Sequence, residues 1–215
     1  MSEQQVQFPA DELTLEGVWH LSEKPGRSPA VVMCHPHPIY GGDMNNGMVI
    51  LVCRKLAKQG INALRFNFRG VGGSQGSYGE GIGEQEDLKS AIALAASAEF
   101  VDASRIGICG YSFGAGIVLS VAADERRPRA LAAISPPLAI GVEYHADKFA
   151  GPKFFLGGSE DALFSAQALQ RFAQALPAPS DCEIVQDADH FWIGYERQAA
   201  QKIADFFTKV FNEDN

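Results

Sequence analysis

Hydrophobic positions along this chain follow two rhythms. Near the N-terminus they alternate with polar ones, as in Leu13-Thr14-Leu15-Glu16-Gly17-Val18-Trp19-His20-Leu21. That is the period of a strand with one buried face, and with Val6-Gln7-Phe8 it predicts an antiparallel hairpin. From Ala30 onward strand-like segments follow at 30–34, 61–68, 105–109, 130–135, 153–156 and 182–185, several of them short apolar runs such as Ala30-Val31-Val32-Met33-Cys34. Such runs predict strands covered on both faces. The segments between several of them carry helical patterning, which predicts helices at 44–59, 84–100, 113–124 and 162–176, with a terminal helix at 193–211. Strands alternating with helices imply right-handed βαβ units, and so an α/β fold with a mostly parallel central sheet and helices on both faces. In such sheets a reactive crevice lies beyond the carboxyl ends of the strands. The loops that matter are then 35–43, 69–83, 110–114, 136–150, 157–162 and 187–192.

Composition narrows the function classes. At 215 residues the chain fits a single domain spanning 1–215, with hydrophobic content of 46% and charged content of 20%. A net charge of −8 argues against non-specific nucleic-acid binding and against an anionic membrane surface. No apolar run approaches the length of a membrane span. Met1-Ser2-Glu3-Gln4-Gln5 has neither the basic start nor the apolar core of a signal peptide, so a cytoplasmic protein is expected. Cys34, Cys53, Cys109 and Cys182 are scattered, without a C-x-x-C pair, and are expected as free thiols.

One stretch carries chemistry. Gly110-Tyr111-Ser112-Phe113-Gly114 joins an apolar strand to an apolar helix, and its glycines at minus two and plus two suit a turn too sharp for side chains there. Such a turn lifts the serine hydroxyl clear of the sheet, and the following helix points free N–H groups at the same place. A serine hydroxyl needs a base within hydrogen-bond reach and a third group to orient that base. Of the five histidines only His190 lies in the loop after the last strand, within Asp187-Ala188-Asp189-His190-Phe191-Trp192. An acid is expected on another strand-end turn, where Glu160 and Asp161 stand side by side; Asp187 and Asp189 are nearer in sequence.

With these residues in place the chain resembles the α/β-hydrolase superfamily, in the compact form of dienelactone hydrolases and small bacterial carboxylesterases. Beyond the serine turn the resemblance rests on Cys34-His35-Pro36-His37-Pro38 in the oxyanion-loop position and on Phe68-Arg69-Gly70-Val71-Gly72-Gly73-Ser74, similar to the family's R-G-x-G-x-S turn. Gly158-Ser159-Glu160-Asp161 resembles its acid turn and Asp189-His190-Phe191 its histidine loop. The resemblance implies a serine hydrolase acting on small carboxylic esters, in which Ser112 attacks, His190 carries the proton and Asp161 orients the imidazole. Dienelactone hydrolase itself uses cysteine where this chain has Ser112.

Two backbone N–H groups are expected to meet the oxyanion. One is that of Phe113. In the loop at 35–39, Pro36 and Pro38 have no N–H, which leaves His37, with Ile39 in reserve. Tyr40, Tyr111 and Trp192 are expected to wall the substrate pocket. Arg69 and Asn67 are expected to tie down their loop. His35-x-His37 lacks a nearby third ligand, so no metal is expected, and no cofactor. The segment 136–152 is too short for a cap domain, which favours small soluble esters over triglyceride. Thioesters, lactones or small peptides are alternative substrates of the same site, and a binding module that has lost catalysis is an alternative of another class. The expected partner is a small-molecule ester, with the protein a monomer or homodimer.

Overall fold

The computed structural model describes residues 2–138 and 144–213. In chain order the elements are β1 (Glu3–Ala10), β2 (Leu13–His20), β3 (Ser28–Cys34), α1 (Gly47–Lys58), β4 (Asn62–Phe66), α2 (Gly83–Ser97) and β5 (Val101–Tyr111). There follow α3 (Phe113–Val121), β6 (Pro128–Ile134), β7 (Lys153–Gly158), α4 (Ala166–Ala175), β8 (Ser180–Val185) and α5 (Glu196–Asn212). The strands form one sheet in the order β1-β2-β4-β3-β5-β6-β7-β8. The β1–β2 hairpin is antiparallel and joins β4 antiparallel; every pairing from β4 to β8 is parallel.

The period-two geometry of a strand sorts the core into two layers. In β3, Ala30, Val32 and Cys34 belong to the core layer that holds residues of α2, α3 and α4, whereas Val31 and Met33 belong to the layer of α1 and α5. β5 and β6 divide the same way, with Ile106, Ile108, Leu131 and Ala133 on the first face and Cys109, Tyr111, Ala130, Ala132 and Ile134 on the second. Helices therefore cover both faces, as the continuous apolar runs require.

Strand order also locates the crevice. From β3 the chain steps through α1 to β4 on one side, then through α2 back across to β5 on the other side of β3. Winding reverses between β3 and β5, and the loops leaving their carboxyl ends part there. Those loops begin at His35 and at Ser112. Between β6 and β7, residues 135–152 hold a single 3-10 turn, Ala146–Lys148, among the described residues, and no cap domain; positions 139–143 of this segment lie outside the described residues.

Element ends differ from the sequence expectation where side chains claim the backbone. The fourth helix starts at Ala166 rather than 162, because the N–H groups of Leu163 and Phe164 bond the Asp161 carboxylate and Ser165 provides the cap. α5 starts at Glu196 rather than 193, because Trp192 and Gly194 adopt φ of 61° and 83°. β5 is longer than 105–109: it begins beside Ser28 and runs on through Gly110 and Tyr111.

Candidate active site

Ser112 follows β5 directly and adopts φ 53°, ψ −118°, a backbone state that L-residues rarely occupy and that costs about 1–3 kcal/mol. The glycines at minus two and plus two show what the turn demands. A Cβ on Gly110 would lie 2.2 Å from the carbonyl oxygen of Gly114, and one on Gly114 would lie 2.6 Å from the carbonyl oxygens of both Cys34 and His35. The first contact closes the turn on itself. The second presses the start of α3 against the loop leaving β3. Ser112 occupies the N-cap position of α3, yet its side chain makes no capping bond. Its Oγ lies instead 3.0 Å from Nε2 of His190.

His190 is presented by a tight turn after β8. The carbonyl of Asp189 accepts from Trp192 N–H, the Asp189 carboxylate accepts from Ile193 N–H at 3.2 Å, and the hydroxyl of Tyr111 donates to the carbonyl of His190 at 2.8 Å. On its far side, Nδ1 of His190 lies 2.8 Å from Oδ2 of Asp161. The other carboxylate oxygen of Asp161 accepts from the N–H groups of Leu163 and Phe164, both at 2.9 Å. Burial alone would push the Asp161 carboxyl up, but these hydrogen bonds and the neighbouring imidazole outweigh it and hold the pKa below the usual aspartate value. Asp161 is thus an anion whose acceptor sites point at one histidine and two amides. Glu160 is exposed, Asp187 accepts from Gln186, and Asp189 serves its own turn, so Asp161 is the acid that reaches His190.

The loop after β3 is fastened by His35, which is fully buried. Its Nδ1 lies 2.6 Å from the carbonyl oxygen of Pro36 and its Nε2 accepts from the N–H of Phe68 at 3.1 Å. That assigns a neutral ring protonated at Nδ1, with both nitrogens engaged. His37 follows. Its carbonyl accepts from the N–H groups of Tyr40 and Gly42, and its Nδ1 accepts from Ile39 N–H at 3.3 Å. The Ile39 amide is therefore turned into its own loop, while the His37 N–H meets no acceptor among the described residues. The same is true of Phe113 N–H, at the first position of α3, where a helix has no acceptor to offer.

Asn67 and Arg69 act as struts. The Asn67 amide bridges Met44 N–H and the Glu16 carboxylate, which also accepts from Gly73 N–H. Arg69 pairs with the fully buried Asp87, with contacts from 2.7 to 3.1 Å. The loop 69–82 is held further by Glu84, whose two carboxylate oxygens accept from Gly79 and Gly81 N–H groups.

The aromatic residues expected around the pocket separate. Tyr40 is 86% exposed beside the His37 ring. Tyr111 and Trp192 are not on the open face: Tyr111 points to the α1–α5 layer, as its alternation with Cys109 dictates, and Trp192 is wholly buried with Nε1 donating to Ser135 Oγ at 3.2 Å. Both support the His190 loop from beneath. Phe164, an aromatic the sequence also offers for the pocket wall, does reach the base and stands edge-on to His190, whereas Tyr78 carries no sequence signal. Tyr78, from the glycine-rich loop, lies against the His37 and Phe113 rings; no local pattern marks a loop residue for such contacts.

The nearest thiols are poor nucleophiles, because burial pushes those of Cys34 and Cys109 well up. The buried histidines carry a further consequence. Burial depresses His35 to about 4, and likewise His20, whose Nε2 accepts from Arg65. Both gain protons near 6.5 once unfolded. The unfolded chain then binds more protons between those values, so this contribution to stability is complete above about pH 6.5 and is lost as pH falls toward 4. From pH 7 to 5 the loss is roughly 2 kcal/mol for each histidine. Urea unfolding at the two pH values should show the midpoint fall; an unchanged midpoint contradicts the buried neutral assignment.

Comparison with known proteins agrees with this architecture. The model of the dienelactone hydrolase family matches residues 15–213. A protein of Rickettsia prowazekii without assigned function is 31% identical over 214 residues, covering 96% of this chain and 89% of its own length. An alpha-beta serine hydrolase homologue from Coxiella burnetii superposes with a TM-score of 0.87 at 29% identity, covering 96% of this chain and 98% of that one. A serine hydrolase without lid from Xanthomonas campestris gives 0.83 at 28%, covering 96% and 95%.

Proposed function

The chain belongs to the dienelactone hydrolase family, and from that premise we propose that it hydrolyses small carboxylic esters through an acyl-enzyme on Ser112. The observation that carries the reading is the hydrogen-bonded relay from Ser112 Oγ to His190 Nε2 at 3.0 Å and from His190 Nδ1 to Asp161 at 2.8 Å. In it Asp161 fixes the proton on Nδ1, so Nε2 carries the lone pair that accepts the serine proton as Oγ attacks the ester carbonyl. The oxyanion that forms is met by the N–H groups of His37 and Phe113, which donate to no other group among the described residues. The imidazolium is stabilised by the adjacent carboxylate and returns its proton to the leaving alcohol. Water then repeats the sequence on the acyl-enzyme.

A site open between loops, with only a short connection after β6, suits small soluble esters. The test is a panel of ester, thioester, lactone and amide substrates against the wild type and Ser112→Ala. Short-chain esters should be hydrolysed fastest and only by the wild type. Faster turnover of thioesters or amides, or activity surviving the substitution, overturns the reading.

A further inference from the structure

Among the described residues the exposed large hydrophobic side chains are Ile39, Tyr40, Ile82, Leu163, Phe191 and Ile193. All six lie in the segments that follow the carboxyl ends of β3, β4, β7 and β8, the same end of the sheet as Ser112. One of them, Phe191, stands against the base, and Leu163 precedes a second neighbour of the base, the half-buried Phe164. Phe164 and Phe191 stand T-shaped to the His190 ring, with centroids at 5.2 and 5.5 Å. We infer that Leu163, Phe164 and Phe191 form an apolar shelf for the alcohol half of the substrate, which selects esters of bulky apolar alcohols over those of small ones. This rests on the ester-hydrolase reading and goes beyond it.

Proton transfer fixes the direction. In acylation the bond from Ser112 Oγ to the carbonyl carbon forms and the bond from that carbon to the alcohol oxygen breaks. The proton taken from Ser112 passes from His190 Nε2 to the departing oxygen, which must come within hydrogen-bond reach of that nitrogen. The carbonyl oxygen is meanwhile committed to the His37 and Phe113 amides. The carbon attached to the leaving oxygen therefore emerges beside the imidazole, where the shelf is.

The shelf is held in place by the machinery it serves. Leu163 and Phe164 are pinned by their own N–H groups to Asp161. Phe191 is thrown outward by the turn that buries Trp192 at φ 61°. Leu163 and Phe191 remain 60% and 66% exposed, apolar area that a bound apolar group would remove from water without any rearrangement.

Benzyl and ethyl acetate share one acyl-enzyme, and their alcohols are of similar acidity, so the ratio of their kcat/KM values reports contacts to the alcohol during acylation. The wild type should favour the benzyl ester at least about tenfold, and the Leu163→Ser/Phe191→Ser variant should lose most of that ratio. Fluorophosphonate labelling of Ser112 in the variant checks that its site is assembled. Equal ratios in both proteins, or a wild type that handles the ethyl ester as well as the benzyl, overturn the shelf. A wild type that hydrolyses neither ester and leaves Ser112 unlabelled removes the ester-hydrolase reading itself.

Discussion

Replacing Ser112 with alanine is expected to lower kcat for a short-chain ester on the order of 10⁶-fold. The substitution removes the atom that forms the covalent bond and leaves His190 beside an empty position, while the His37 and Phe113 amides and the rim residues stay where they are. KM should move far less than kcat, because ground-state contacts persist. The small rate that survives should be the part owed to the amides and to binding, which in serine hydrolases remains above the rate in water. The measurement is initial velocity over a range of ester concentrations for both proteins. A variant within a hundredfold of the wild type would place the nucleophile elsewhere.

Asp161→Asn should cost on the order of 10⁴-fold in kcat, and the geometry says why so isosteric a change is so damaging. One carboxylate oxygen accepts from two backbone amides, those of Leu163 and Phe164, and these would refuse an NH₂ group. The asparagine oxygen is thereby assigned to them and its NH₂ is turned toward His190. That group donates to Nδ1, which moves the imidazole proton to Nε2, where no lone pair remains to accept from Ser112. The unfolding midpoint should change much less than the rate, since shape and packing are preserved. Retained activity would mean that His190 is oriented by something other than Asp161.

How much of this was legible in the sequence differs from element to element. The parallel sheet and its two helical layers follow from the continuous apolar runs, because strands buried on both faces cannot alternate. The glycines around Ser112 were equally readable, since a turn that brings Gly110 to the Gly114 carbonyl excludes any side chain. From the residues alone Asp161 and Glu160 stood side by side and only the family resemblance favoured Asp161, because adjacent residues in a turn diverge according to backbone angles that neither residue type dictates. The same gap misplaced Trp192. Its positive φ, unusual outside glycine, exchanges the inward and outward positions of the histidine loop, so that Phe191 is exposed and Trp192 buried. Tyr111 was recoverable: it continues the alternation of β5 onto the face of Cys109, away from Gly110. His35 was not, since its role depends on Phe68, a partner that only the fold brings near.

A Ser112 hydroxyl activated by His190 should react with a fluorophosphonate. Incubation with the probe followed by peptide mass spectrometry should place one phosphonyl adduct per chain on the peptide containing Ser112. No adduct on Ser112→Ala is expected, and slowed labelling of Asp161→Asn. An unlabelled wild type, or an adduct that persists when Ser112 is alanine, would contradict that activation.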